Sequence, residues 1–348
     1  MHNSPRPKVL FLFRELAGYF ISCLKELANQ NICDVEVVYW PVNAEAPLVL
    51  SQLPGIIWTK REDWDPMEYK ARDQRGEYRC VVVSGWSDPG YNAFVQSKGL
   101  SKRVLAFDTQ WQNTMKMRLG SFWMRWKWRK HYNTVWVPGE RQARLARAMG
   151  FAEAEIATGF YVADLQGIEI QDKDRDSKPW IIGCVARLVH EKGFPESIEE
   201  LVPLLNQNPH WEIHIWGTGP LKEQMPKHQQ IQYQGFAQPE RLKKIWKEWD
   251  VFILASRYEP WGVAVHEAAG AGLPLIVSDA VGAGDDFVVP GVNGWIIPNG
   301  DFSALGNFLK QADGMSSADR KRAREVSLEK AGLINHQQWC KTIKNWID

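Results

Sequence analysis

The chain has 348 residues, which exceeds one average domain, so we expect two domains. Its 42 Lys and Arg residues nearly balance its 41 Asp and Glu residues, which argues against a dedicated nucleic-acid-binding protein. The five scattered cysteines form no Cys-x-x-Cys pair, which argues against a disulfide scaffold or a zinc site and favours the cytoplasm. No apolar run approaches the ~20 residues needed to span a bilayer.

The first half of the chain alternates short apolar runs with helical patterns. "KVLFLF" at 8–13 indicates a buried strand, "YFISCLKELANQ" at 19–30 has helical spacing, and "VEVVYW" at 35–40 indicates the next strand. "RCVVVSGW", "RVLAFD" and "TVWVPG" continue the series. Such alternation predicts an α/β domain with a doubly wound parallel sheet, and we assign residues 1–163 to it.

The composition changes at residues 164–179, which are charged and lack helical or strand periodicity. We predict that they form an interdomain linker. A second alternating series predicts another Rossmann-like domain over 180–333, and an apolar stripe predicts that a C-terminal helix at 334–348 completes the first domain. Two such domains are expected to face each other across a cleft, since ligands bind at the carboxyl ends of parallel strands.

Two stretches of the second series carry residues suited to phosphate. In "GCVARLVHEKG", Arg187 follows a predicted strand and Lys192 comes five residues later, so both cations could reach a phosphate, or both could be ordinary solvated loop residues. In "IWGTGPL", Gly217 and Gly219 follow the next strand. Glycines there allow a close approach of the backbone to a nucleotide, but a plain tight turn explains them equally well.

The stretch "RYEPWGVAVHE" places two glutamates around the start of a predicted helix. Glu259 precedes the helix, which we expect to begin near Trp261 or Gly262, and Glu267 lies in its second turn. The N–H groups of Gly262 and Val263 would form an anion site. Carboxylates beside an anion site suit a ligand with hydroxyls and phosphates, such as a sugar nucleotide. The alternative is one glutamate favoured by the helix dipole and another exposed on the surface.

These stretches, together with "GVNGWIIPNGD", occur in the order seen in retaining glycosyltransferases of family 4, which have the GT-B fold. The chain resembles that family over residues 180–301, and the spacing from Glu259 to Glu267 resembles its E-x7-E signature. The resemblance implies that Arg187 and Lys192 hold the donor diphosphate and stabilise the leaving group. It further implies that Glu259 binds the donor sugar and Glu267 the ribose of the nucleotide.

The resemblance also implies positions for the rest of the donor and for the acceptor. The remaining donor-binding positions are Gly18, Gly217, Gly219, Gly235, Phe236, Gly262 and Val263, with Gly235 and Phe236 at the base. The first domain should bind the acceptor. Asp108 stands where relatives commonly have a histidine, so it could bind the sugar or accept a proton, or it could cap the following segment.

The function that this resemblance implies is retaining transfer of a sugar from a nucleotide-diphosphate donor to a saccharide or lipid-linked acceptor. A UDP-sugar is favoured over a GDP-sugar, no divalent metal is expected, and the setting would be synthesis of cell-envelope polysaccharide or glycolipid. The alternatives are a sugar-nucleotide epimerase of the same fold and a non-catalytic sugar-nucleotide-binding or membrane scaffold protein.

Residues 116–132 combine six Lys and Arg residues with Phe122, Trp123, Trp126, Trp128 and Tyr132. A basic helix rich in Trp is typical of a peripheral membrane anchor, so we expect a cytoplasmic protein with contact at the inner face of the cytoplasmic membrane. The alternative is a helix that covers the first sheet, with its long cationic side chains reaching to solvent. A nucleic-acid partner lacks a supporting fold signal.

Overall fold

The computed structural model describes residues 6–14, 16–41, 53–170 and 179–348. The chain divides into two compact units. The first unit runs to Val162 and includes Ile334–Asp348, and the second unit is Ala163–Leu333. Part of the predicted linker, 171–178, lies outside the described residues. The preceding part belongs to the second unit, where the Lys243 ammonium pairs with the Asp164 carboxylate at 2.6 Å.

The first unit contains a seven-stranded parallel sheet in the order β3-β2-β1-β4-β5-β6-β7. Its strands are β1 (Lys8–Phe13), β2 (Asp34–Tyr39), β3 (Ile56–Lys60), β4 (Tyr78–Ser84), β5 (Lys102–Ala106), β6 (Thr134–Trp136) and β7 (Ile156–Ala157). Its helices are α1 (Gly18–Gln30), α2 (Pro66–Gln74), α3 (Pro89–Gln96), α4 (Met115–Lys127) and α5 (Glu140–Ala148). The chain later returns to this unit through the C-terminal helix.

Both faces of the first sheet are buried, and β1 shows how. Val9, Phe11 and Phe13 join one hydrophobic cluster, whereas Leu10 and Leu12 join the cluster on the opposite face. Side chains alternate between the faces of a strand, so a strand covered on both sides must be apolar at every position. The run "VLFLF" at 9–13 satisfies that requirement.

The second unit contains a six-stranded parallel sheet in the order β10-β9-β8-β11-β12-β13. Its strands are β8 (Trp180–Val185), β9 (Trp211–Trp216), β10 (Ile231–Gly235), β11 (Val251–Leu254), β12 (Leu275–Ser278) and β13 (Gly294–Ile297). Its helices are α6 (Glu196–Glu199), α7 (Val202–Gln207), α8 (Pro239–Ile245), α9 (Val263–Gly270), α10 (Gly284–Phe287), α11 (Ala304–Asp313) and α12 (Ser317–Leu333). The predicted α/β class with two parallel sheets is confirmed.

Large aromatic side chains fill the second unit, and the strand sequence makes room for them. A Cβ on Gly183 of β8 would lie 1.9 Å from the indole of Trp249. Trp249 is fully buried and packs edge-on against Trp246, with ring centroids 4.8 Å apart. Gly183 is therefore explained by the close approach of an indole to the sheet. Throughout the described residues, no helix combines the length and apolarity needed to cross a bilayer.

The C-terminal helix α13 (His336–Ile347) packs on the first sheet. Trp339 is buried, stacks on Phe11 at 6.0 Å between ring centroids and lies 4.8 Å from the ring of Trp136. Its indole N–H donates to the carbonyl oxygen of Phe160 at 3.1 Å. The last helix thus supplies an aromatic side chain at the centre of the core of the first unit.

We predict that Trp339→Ala lowers the free energy of unfolding by about 3–5 kcal/mol, because it leaves a large cavity and an unpaired carbonyl. Urea denaturation measures the loss, and hydrogen exchange locates it. The amides of β1 should exchange faster while those of β8 keep their protection. Lys341→Ala, at an exposed position of the same helix, is the control. Equal loss of protection in β1 and β8 would contradict a core confined to the first unit.

Candidate functional site

The topology of the second sheet creates one position where adjacent connections diverge. β8 lies between β9 and β11, and it is parallel to both. After β8 the chain continues to β9 on one side, and after β11 it continues to β12 on the other side. Both connections begin at the carboxyl ends of the strands. Ligands of open parallel sheets bind at such a point. Arg187 and Lys192 follow β8, and Glu259 follows β11.

The structure brings Lys192 and Glu259 into direct contact. The Lys192 ammonium donates to Oε2 of Glu259, and both side chains are mostly buried. Main-chain bonds hold the two loops together, since the N–H groups of Arg257 and Tyr258 donate to the carbonyl oxygen of Glu191 at 2.8 and 3.0 Å. The cation and the carboxylate are thus positioned by backbone as well as by their own attraction.

Gly193 is a residue that the sequence reasoning did not select. It ends the 3-10 turn His190–Lys192 with a φ of +79°. A Cβ here would lie 2.3 Å from the carbonyl oxygen of Ala255, just beyond β11. Both the left-handed backbone and the close approach require glycine. The signal was a glycine directly after the turn, which is the usual position for a left-handed residue.

Gly217 and Gly219 have a clear packing role. A Cβ on Gly217, whose φ is +148°, would lie 1.8 Å from the carbonyl oxygen of Ala186, and one on Gly219 would lie 2.4 Å from that of Leu188. The Leu188 N–H donates to the carbonyl oxygen of Thr218 at 3.0 Å. These glycines let the loop after β9 pack against the loop that carries Arg187. The Arg187 side chain is exposed to solvent.

The loop after β10 lies at the same carboxyl end of the second sheet. The Gly217 N–H donates to the carbonyl oxygen of Gly235 at 2.8 Å. Gly235 has a φ of +74°, and a Cβ would meet nothing within 4 Å, so its backbone conformation is what favours glycine. Phe236 follows with nearly half of its surface exposed. The predicted base-binding pair is therefore accessible at the end of β10.

Helix α9 begins at Val263, one residue beyond the predicted start. Gly262 is its N-cap with a φ of +101°, and a Cβ there would lie 3.2 Å from Cγ of Glu259. The first N–H groups of a helix lack partners within the helix and carry the positive end of its dipole. Glu259 thus lies against the start of a helix as well as against Lys192.

Glu267 occupies a different electrostatic environment from Glu259. It is half-buried in the second turn of α9, and burial raises its pKa to about 7. The Lys243 charge lowers this pKa and the Asp164 charge raises it. A carboxyl group with such a pKa exchanges its proton near neutral pH and can both donate and accept hydrogen bonds.

His266, the neighbour of Glu267, has structural contacts. It is fully buried, and its Nδ1 accepts the N–H of Ala163 at 3.2 Å. This bond requires the proton on Nε2, which donates to the carbonyl oxygen of Ala331 at 3.0 Å. The imidazole therefore joins the beginning of the second unit to its last helix.

In the first unit, Gly18 and Asp108 are linked through two tyrosines. Gly18 is the first residue of α1, rather than part of the preceding loop, and Tyr19 follows it. The rings of Tyr19 and Tyr161 lie 4.6 Å apart, and the Tyr161 hydroxyl donates to Oδ2 of Asp108 at 3.1 Å. Asp108 does not cap α4, whose N-cap is Thr114.

Comparison with known proteins identifies residues 166–325 with the family model "Glycosyl transferases group 1". The GtfA subunit of the UDP-N-acetylglucosamine–peptide N-acetylglucosaminyltransferase of Streptococcus pneumoniae is 30% identical over 137 residues. That match covers 37% of this chain and 27% of the relative. The amylovoran biosynthesis glycosyltransferase AmsK of Erwinia amylovora is 29% identical over 175 residues, which cover 47% of this chain and 43% of AmsK.

Solved structures resemble the whole chain. HepE of Anabaena, solved in complex with UDP and glucose, has a TM-score of 0.68 and 15% sequence identity. The match covers 98% of this chain and 100% of HepE. The matches to the curated relatives span less than half of their lengths. Most of the second unit therefore matches the glycosyl transferase group 1 model, and the chain has the GT-B fold.

The raised pKa of Glu267 predicts a pH-dependent stability. The folded protein holds this proton up to about pH 7, whereas an ordinary glutamate releases it near pH 4.3. The folded state thus loses stability relative to Glu267→Gln as the pH rises from about 4.5 to about 8, by on the order of 2 kcal/mol. Urea denaturation at pH 4.5, 6 and 8 measures it, with Glu240→Gln as an exposed control. A constant difference between Glu267→Gln and wild type would contradict the raised pKa.

Proposed function

We propose that the protein transfers a sugar from a nucleotide-diphosphate donor to a hydroxyl group of a saccharide or lipid-linked acceptor, with retention of configuration. The observation that most directly supports the proposal is the Lys192–Glu259 contact where the connections of the second sheet diverge. It places a phosphate-binding cation beside a carboxylate that can accept hydrogen bonds from sugar hydroxyls. The spacing from Glu259 to Glu267 further supports assignment to family 4 of these enzymes.

The donor would be held through its charges. An ammonium group has three N–H donors, so Lys192 can hold Glu259 and a phosphate oxygen together. The exposed guanidinium of Arg187 would bind the same diphosphate through two parallel hydrogen bonds. As the bond between the anomeric carbon and the phosphate oxygen breaks, these cations would neutralise the charge that develops on the leaving group.

Retention follows if the acceptor attacks from the face that the diphosphate leaves. The acceptor hydroxyl forms the new bond to the anomeric carbon, and its proton passes to the departing phosphate oxygen. Glu259 would orient the sugar, since its pairing with Lys192 reduces its strength as a nucleophile. In the first unit, we propose that Asp108, oriented by Tyr161, binds the acceptor. Gly18 would approach the donor phosphate through its backbone.

A UDP-sugar is the favoured donor. HepE was solved with UDP, and the name of GtfA specifies UDP-N-acetylglucosamine, so two similar proteins are associated with the uridine nucleotide. The exposed Phe236 and the backbone of Gly235 would contact the base, and no divalent metal would be required. The relation to AmsK supports a place in polysaccharide or glycolipid synthesis for the cell envelope.

The first functional prediction concerns the diphosphate. Calorimetry should show tighter binding of UDP than of GDP, and Arg187→Ala and Lys192→Ala should each weaken UDP binding about tenfold or more, because each removes a charge-assisted hydrogen bond. Arg322→Ala, which removes an exposed arginine elsewhere in the second unit, should leave the affinity unchanged. Unchanged UDP affinity in both site variants would overturn the assignment of the donor site.

Turnover distinguishes the alternatives once a donor binds. Transfer to an added hydroxyl acceptor, with the anomeric configuration read by NMR, is the expected result. An altered sugar nucleotide formed without an acceptor would indicate an epimerase. Binding with no turnover across saccharide and lipid-linked acceptors would indicate a non-catalytic binding protein.

The second functional prediction concerns Glu267 and the ribose. Wild type should bind UDP about tenfold or more tightly than 2′,3′-dideoxy-UDP at pH 8, where the carboxylate predominates. Glu267→Ala should bind the two ligands about equally, because the group that accepts the ribose hydroxyls is gone. Glu240→Ala, at an exposed position in the same unit, should keep the wild-type preference. Full discrimination in Glu267→Ala would remove this residue from the proposed site.

A further inference from the structure

Helix α4 presents an apolar stripe to solvent. Met115, Leu119, Phe122, Trp123 and Trp126 each expose more than half of their surface. At about 100° per residue, their spacing places them on one face of the helix. The opposite face holds α4 to the first unit through the buried Ser121 and through Met117 and Met124, which pack on the core. The stripe therefore points away from the unit.

This arrangement reverses the usual pattern of a surface helix. In α5 of the same unit, Ala143, Leu145 and Ala146 are buried and Arg144 is exposed. Ordinary surface helices turn their apolar face to the core in this way. A large apolar face turned to solvent is characteristic of an interaction surface.

Cations border the stripe on both sides. The same helical spacing places Lys116 and Lys127 along one border and Arg118 and Arg125 along the other. Within the part of the chain that is described, none of the four forms an ion pair. The Lys127 ammonium lies 4.5 Å from the ring centroid of Trp123.

The local charge is strongly one-sided. The sequence contains no Asp or Glu between Asp108 and Glu140, although the whole protein has a net charge of only +1. A second copy of the same surface would bring like charges together, which disfavours a symmetric dimer through α4. The partner that binds this surface should therefore combine an apolar region, which contacts the stripe, with anionic groups that contact the bordering cations.

An anionic lipid surface has this chemistry. Trp and Phe favour the boundary between head groups and acyl chains, and Lys and Arg stems extend from that depth to the lipid phosphates. We propose that α4 docks in the plane of an anionic membrane, with the stripe below the head groups and the four cations at the level of the phosphates. The inference is independent of the proposed sugar transfer.

The topology gives this contact a consequence. α4 begins after the carboxyl end of β5 and returns towards the start of β6. Its first residues thus lie near the sheet edge where Asp108 follows β5. Because α4 is only roughly 20 Å long, docking of the helix would bring that end of the sheet close to the lipid surface. Asp108 would then lie within reach of a lipid-linked hydroxyl.

Vesicle co-sedimentation tests the docking with the full chain. Binding to vesicles of phosphatidylcholine with phosphatidylglycerol should exceed binding to phosphatidylcholine alone, and it should weaken as salt rises. Phe122→Ala/Trp126→Ala, with side chains 73% and 75% exposed, should lower the partition coefficient about tenfold or more. Lys116→Gln/Lys127→Gln should lower it roughly fivefold per charge.

Two matched variants control for nonspecific effects. Met67→Ala/Leu100→Ala removes apolar residues that are each 73% exposed outside α4, and Lys25→Gln/Lys98→Gln removes exposed cations elsewhere in the first unit. Both should bind like wild type, and all variants should unfold at the same temperature. No binding to anionic vesicles, or equal losses in the controls, would overturn the proposal. It would also be overturned if the α4 variants abolished self-association or RNA binding while vesicle binding persisted.

Discussion

Parallel pairing of β8 with both β9 and β11 is the constraint on which the candidate site depends. It forces the connections after β8 and β11 to diverge at the carboxyl ends of these strands. Main-chain hydrogen bonds to the Glu191 carbonyl oxygen then hold the two connections together. Loops can pass this close only where a Cβ is absent, as at Gly193 and Gly217. The Lys192–Glu259 contact is a consequence of this backbone arrangement, and residues far apart in the chain thereby become neighbours.

Much of the fold could be predicted from sequence because strands buried on both faces must be apolar throughout. β1, β8 and β11 are such strands, and runs of this kind predict a parallel sheet. β3 and β7 were missed for the opposite reason. β3 is an edge strand with mostly partly exposed side chains, and β7 has only two residues. Neither produces a periodic pattern, since neighbouring strands rather than local sequence stabilise them.

The site was predictable as a set of residue types but not as a geometry. The sequence placed Lys192 and Glu259 after strands, yet only the order of strands brings them together. The sequence also could not show that the two glutamates lie in different environments. Glu259 lies against a cation and a helix start, while Glu267 lies in a half-buried position that raises its pKa. Two glutamates separated by only seven residues therefore lie in two distinct environments, and proton exchange near neutral pH is expected at Glu267.

The basic aromatic segment at 116–132 shows why local composition alone left two interpretations open. Trp128 and Tyr132 are buried in the first unit, as expected of a helix that covers a sheet. Trp126 and Phe122 are exposed, as expected of a surface that binds something else. Each interpretation describes part of the segment, because the aromatic residues within α4 are exposed whereas Trp128 and Tyr132, which follow the helix, are buried. Only burial, residue by residue, assigns each indole to the core or to the stripe.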